Sequence, residues 1–163
     1  MARLPPGWGI GRMIENFHTV TLGVYRSGQP KTRDDWMSLP NDVTRVVKLN
    51  LASEDVDQPP TGVEIRYHGM PPATALQLFD APKLDDVLAA TQDIVPGTLV
   101  HCEHGQDRTG LVVACYRVLS GQMTIDEARK ETLALGYHVE LVGLDEAWES
   151  FKRYMDGRVA RQA

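Results

Sequence analysis

The stretch from Leu99 to Leu119, LVHCEHGQDRTGLVVACYRVL, constrains this chain more than any other. Its entry, GTLVHC, has no polar face until its end, which is the pattern of a strand buried on both sides and therefore central and parallel. Its exit, Arg108 to Ser120, is nearly all apolar and predicts a buried helix, with Gly121 suited to the position just past its end. A doubly buried strand feeding a buried helix requires a sheet covered by helices. Cys102, Gly105, Arg108 and Gly110 stand at the seam, where the strand's carboxyl end meets the helix N-terminus. Open α/β sheets bind their ligands at that place.

The rest of the chain agrees. FHTVTLGVYRSGQP (17–30) predicts two short strands joined near Gly23, and Thr32 can cap a short helix that carries Asp34 and Asp35 in its first turn and stops before Pro40. VTRVVKLNL (43–51) and VEIRYHGM (63–70) predict two further strands. A helix follows in KLDDVLAATQDI, with Leu84, Val87, Leu88 and Ile94 as its apolar stripe. TIDEARKETLALGY opens with a capping box, Thr124 and Glu127, and ends at Gly136. In the last helix Leu144, Trp148, Phe151 and Met155 share one face. Strands alternating with helices, then helices in a run, predict an α/β fold: a central, mostly parallel sheet flanked by helices on both faces. The expected organisation is an N-terminal arm over 1–16, one domain over 17–156 and a polar, frayed tail over 157–163.

At the seam, a helix N-terminus offers N–H groups and a positive dipole end, so an anion is favoured there. Gly105 and Gly110 let the backbone turn its amides toward that anion. Arg108 can add a bidentate fork to phosphate oxygens. The same groups stabilise a thiolate at Cys102, so one site combines a nucleophile with a cradle for a tetrahedral oxyanion. A nucleotide-binding loop would need Lys and then Ser or Thr after Gly110, where Leu111 and Val112 stand. A zinc site built on His101, Cys102 and His104 would crowd three ligands into one turn, with no second ligand pair elsewhere.

The net charge of −5 argues against a nucleic-acid partner or an anionic membrane surface. Two cysteines, Cys102 and Cys115, make no disulfide framework and point to a reduced, cytoplasmic protein. The sequence carries neither a secretory leader nor an apolar run long enough to span a bilayer.

HCEHGQDRTG (101–110) resembles the His-Cys-x5-Arg-Thr/Ser signature of the cysteine-based protein tyrosine phosphatases, and VYRSGQP (24–30) resembles the early segment of their small bacterial and fungal dual-specificity members. The resemblance runs from about Phe17 to Met155 and implies a dual-specificity phosphatase-like fold. It implies that Cys102 attacks phosphorus and forms a phosphocysteine, that Arg108 grips the equatorial oxygens, and that Thr109 assists the second step. His101 would support the thiolate from behind, and the backbone of Glu103, His104, Gly105, Gln106, Asp107 and Arg108 would line the phosphate cradle. Neither a metal nor another cofactor is implied. The expected partner is a phosphorylated protein or a small phosphoester.

The leaving oxygen needs a proton, which the family supplies from an Asp about thirty residues before the Cys. That zone, HGMPPATAL, holds no Asp. Asp80, beside Phe79 and twenty-two residues before Cys102, is the first candidate. Asp107 is the rival, because myotubularin- and Sac-type lipid phosphatases carry an Asp inside the signature; its other reading is a carboxylate that anchors neighbouring loops. Asp85 and Asp86 read as first-turn acids. Arg26 reads as a second phosphate ligand or an ion-pair member beneath the cradle, His104 as a rim residue or an exposed loop side chain, and Cys115 as core filler or a resolving thiol. His18, His68 and His138 join no constellation. With Glu103, His104, Gln106 and Asp107 at its variable positions, the loop is acidic on balance, which favours a phosphotyrosine-like ester over an inositol polyphosphate or phosphoinositide. A catalytically weak phosphate-binding module is the reading from another class.

Overall fold

The computed structural model describes residues 14–51, 59–71 and 81–163. Five strands, β1 (His18–Thr21), β2 (Val24–Ser27), β3 (Arg45–Lys48), β4 (Glu64–Tyr67) and β5 (Thr98–His101), form one sheet in the order β1-β2-β5-β3-β4. The apolar strand β5 is central and runs parallel to both neighbours, with Leu99 opposite Tyr25 and Val46, and Val100 opposite Arg26 and Val47. Strand β4 extends the parallel set beyond β3, while β1 is an antiparallel edge joined to β2 through Gly23 at φ +73°.

Alternation along the strands divides the core. Leu99 and Val46 point to a small cluster with Trp36 and Val43. Val24, Val47 and Val100 point to a larger one that holds the inner faces of four helices. Those helices are α2 (Leu84–Gln92), α3 (Arg108–Leu119), α4 (Ile125–Ala134) and α5 (Val142–Gln162). Among the described helices only the short α1 (Arg33–Met37) contributes to the other face, through Trp36. Helix α3 packs against α2, α4 and α5, so all residues from Arg108 to Cys115 are buried. The expected stripe of the last helix holds as well. Leu144, Trp148 and Phe151 are buried and Met155 packs against them; emptying the Phe151 site would cost about 3–5 kcal/mol.

The helix boundaries follow from their caps. Thr32 with Asp35 and Thr124 with Glu127 form capping boxes at α1 and α4. Gly121 and Gly136 take φ +71° and +93° beyond α3 and α4, a conformation in which a side chain would be strained. One expectation is corrected at the end of the chain. Residues 157–162 are not a frayed tail but the last turns of α5. Arg158, Ala160, Arg161 and Gln162 are good helix formers, and the Arg158 guanidinium lies 5.8 Å from the Tyr154 ring one turn back, which outweighs the cost of about 1 kcal/mol at Gly157. Of the expected arm, residues 1–13 lie outside the described residues, while Ile14 is buried and the segment behind it packs onto the loop after β5. Among the described residues no helix is long and apolar enough to cross a membrane.

Candidate active site

Cys102 follows the last residue of β5 directly, and its thiol is unpaired and 3% exposed. From there to Arg108 the chain curls into a loop whose carbonyls are all accounted for. The carbonyl of Glu103 accepts from the Gln29 N–H at 3.0 Å, that of His104 from Asn16 Nδ2 at 2.8 Å, and that of Gly105 from Arg26 Nη2 at 2.9 Å. The carbonyls of Gln106 and Asp107 accept from the Gly110 and Leu111 N–H groups at 3.1 and 2.9 Å, as the first turn of α3. A trans peptide sets its N–H opposite its C=O. Carbonyls drawn to donors at the loop's outside and into α3 therefore turn the following N–H groups, those of residues 104 to 108, toward the concave side. With the helix dipole behind them these amides make a nest for an anion.

The loop can approach β2 this closely because of Gly105. It holds φ +73°, and a Cβ there would overlap the backbone of Ser27 and Gly28. Beneath it Arg26 is 2% exposed. Burial pushes its guanidinium down from the usual arginine value, and the neighbouring Cys102 charge partly restores it. Of the two readings of Arg26, the structure gives it a place beneath the loop, with its hydrogen bond made to the Gly105 carbonyl.

Arg108 is 5% exposed, and its Nη1 donates to the Met70 carbonyl at 3.2 Å, which braces the guanidinium against the segment after β4. His101 is fully buried with Nδ1 3.3 Å from the Cys102 carbonyl. Thr109 is buried, and its hydroxyl has no hydrogen-bond partner among the described residues. Behind the loop Asn50 Nδ2 donates to Gln29 Oε1 at 3.0 Å, tying the end of β3 to the residue that holds the Glu103 carbonyl.

Asp107 faces the α4–α5 connection. Its carboxylate accepts from the His138 N–H at 2.8 Å and lies 3.0 Å from His138 Nδ1. That hydrogen bond and charge raise the His138 imidazole above its ordinary pKa. Gly136, in the same connection, lies against the Gln106 side chain. The loop-anchoring geometry named for Asp107 is thus present. Asp80, the other acid candidate, lies outside the described residues. Asp85 and Asp86 sit in the first turn of α2. His104 is at the rim, 3.3 Å from the Glu15 carboxylate and 3.7 Å from that of Glu103. Cys115 is buried in α3, and desolvation pushes its thiol far above the ordinary range. Among the described residues no cluster of His, Cys, Asp or Glu is placed to hold a metal ion. The broad groove lined by Lys31, Trp36, Met37 and Pro60 contains none of the signature residues.

Sequence reasoning missed His138 and Asn16. No local pattern announces a histidine whose partner is thirty-one residues away. Asn16 carried one signal, a residue type that tolerates the left-handed region.

A tyrosine phosphatase family model matches residues 51–124, which include the whole loop. No curated protein sequence matches the chain. Among solved structures, the core catalytic domain of the PP-IP phosphatase SIW14 from S. cerevisiae, in complex with citrate, is similar with TM-score 0.66 at 17% identity, over 93% of this chain and 94% of that one. PTPMT1 in complex with PI(5)P is similar with TM-score 0.61 at 18% identity, over 85% and 98%. A Cys-to-Ser form of TpbA from P. aeruginosa, in complex with phosphotyrosine, is similar with TM-score 0.65 at 18% identity, over 86% and 90%.

Proposed function

We propose that this chain is a cysteine-based protein tyrosine phosphatase and hydrolyses phosphotyrosine-type monoesters of proteins, with phosphoserine and phosphothreonine as further substrates; the family match over residues 51–124 and the shared fold support the reading. One observation carries the reading: the nucleophile Cys102, the guanidinium of Arg108 and a nest of backbone amides share a single loop at the N-terminus of a buried helix.

In the first step the Cys102 thiolate attacks phosphorus, forming an S–P bond as the P–O bond to the alcohol breaks. Three equatorial oxygens lie among the amides of the loop from Glu103 to Arg108 and the Arg108 fork. The departing oxygen takes a proton from Asp80, the assignment we adopt for the general acid. Asp107 suits an anchoring role better, since its carboxylate is engaged by both the backbone and the ring of His138. In the second step water attacks phosphorus and gives a proton to the Asp80 carboxylate, the S–P bond breaks, inorganic phosphate leaves, and the thiolate and the acid are both restored. The Thr109 hydroxyl, buried in the first turn of α3 and without a hydrogen-bond partner among the described residues, is suited to steady the departing sulfur. His101 holds the peptide of Cys102 from behind.

Rim charge supports the substrate class. Glu15, Glu103 and Asp107 surround the loop with His104 and His138 between them, a surface that repels a polyphosphorylated inositol more than a single phosphate on an aromatic ring. The two unpaired thiols support work in a reducing compartment such as the cytoplasm.

The test is phosphate release, without added metal, from a phosphotyrosine peptide, a phosphothreonine peptide and a phosphoinositide, by the wild type and Cys102→Ser. Release confined to the wild type and fastest from the phosphotyrosine peptide is the expected result. Preference for the lipid would overturn the substrate assignment. No release from any substrate, with phosphate still bound, would make the protein a phosphate-binding module. In the pH–rate profile Asp80→Ala should remove the basic limb; removal by Asp107→Ala instead would transfer the acid role.

A further inference from the structure

Five successive carbonyls of the loop are held, and four of their donors are backbone N–H groups or the buried Arg26. The fifth donor differs. It is the carboxamide of Asn16, a half-buried residue outside the signature and eighty-eight positions away from the carbonyl it meets.

Asn16 also stands in an unusual backbone state. Its φ is +52°, and it is the only non-glycine residue with positive φ among the described residues. Such a conformation persists where the surroundings over-determine it. They do so here. The Phe17 N–H donates to the Ile14 carbonyl at 3.3 Å and closes a turn, and the Glu15 carbonyl accepts from the Gly28 N–H at 2.7 Å and pins that turn to the end of β2. Phe17 then stacks on Tyr25 of β2, with 5.8 Å between ring centroids. Turn and strain together aim one group, the Asn16 Nδ2, at one acceptor.

That acceptor belongs to the most reversible peptide of the loop. The His104–Gly105 unit ends in a glycine, which occupies either sign of φ with little steric cost. Left alone, this peptide can turn over and present its carbonyl to the anion in place of its N–H. We infer that Asn16 is a positioning residue of the phosphate cradle: by drawing the His104 carbonyl outward, its side chain keeps the Gly105 N–H facing the bound phosphoryl group. The inference rests on the proposed function for its ligand and adds a residue from the N-terminal segment to the site.

Two variants separate this role from simple packing. Asn16→Gly keeps the left-handed backbone and removes the donor. Asn16→Asp keeps the shape as well but replaces the donor by an acceptor opposite a carbonyl. Inorganic phosphate affinity is measured by calorimetry, and kcat and KM with para-nitrophenyl phosphate. A lost hydrogen bond of ordinary strength predicts phosphate binding weaker by about 3- to 10-fold in Asn16→Gly, with kcat/KM reduced at least as much. Asn16→Asp should be as weak or weaker, whereas a packing role would leave it close to wild type. Wild-type phosphate affinity in Asn16→Asp or in Asn16→Gly overturns the inference. If Asn16→Asp does not fold, Asn16→Gly decides alone. A wild type that binds phosphate but cleaves no ester would refute the proposed function while the affinity shift still decides the role of Asn16. A wild type that binds no phosphate would end both.

Discussion

Replacing Gly105 by alanine should damage both stability and turnover, and the structure allows the two causes to be separated. The residue holds φ +73°, and a left-handed backbone costs a residue with a Cβ about 1–2 kcal/mol. The new methyl would also overlap the carbonyl carbon of Ser27 and the nitrogen of Gly28, backbone atoms that cannot swing aside. The loop must lift from β2, and the hydrogen bond from Arg26 to the Gly105 carbonyl opens. Depriving a buried charged donor of its acceptor costs about 1.5–3 kcal/mol. The sum, about 2.5–5 kcal/mol, is a large part of the roughly 5–15 kcal/mol that holds an ordinary domain. Displacing the cradle amides should lower kcat/KM about 100-fold. Gly121 supplies the control. It has nearly the same φ, +71°, yet a Cβ there meets nothing within 4 Å. Gly121→Ala should lose only the backbone cost, about 1–2 kcal/mol, and leave turnover unchanged. Urea denaturation and para-nitrophenyl phosphate kinetics on both variants measure the difference. Equal destabilisation of the two, or wild-type kcat/KM in Gly105→Ala, would refute the close-approach argument.

Other consequences are open to simpler checks. Because Asp107 raises the His138 pKa, the pair's stabilisation is full below the ordinary histidine value and fades as pH rises through the raised one. His138→Ala should therefore lose more stability at pH 6 than at pH 9; since His138 is half exposed, screening limits the loss to about 0.5 kcal/mol, and urea midpoints at the two pH values test it. Cys115, buried and with its thiol pushed far up, should resist iodoacetamide at pH 8 in the native protein and react only in denaturant, as peptide mapping would reveal. Asn50→Ala removes the donor that fixes Gln29, and a loss of about 1 kcal/mol in stability with weaker phosphate binding is expected from denaturation and calorimetry.

The sequence alone determined the parts of this protein whose physics is local. An all-apolar run with no polar face can lie only inside a sheet, so β5 was legible as central and parallel from GTLVHC. The cap at Thr32, the capping box at Thr124 and the stops at Gly121 and Gly136 are satisfied within a few residues, and they appear where the sequence predicts them. Cys102 and Arg108 were legible as neighbours for the same reason, since one loop seven residues long carries both. The tail was misread because polarity was weighed above helix propensity, and a helix already seeded by Trp148 and Phe151 continues at little cost. What only the tertiary structure decided is which groups hold the loop from outside. Asn16, the pair Arg26 and Gln29, and His138 come from three separate segments, and each reaches the loop through a contact far removed in sequence. A hydrogen bond has no period and leaves no pattern along the chain. It depends on direction and distance, which exist only once the sheet has brought the ends of β2, β3 and β5 together.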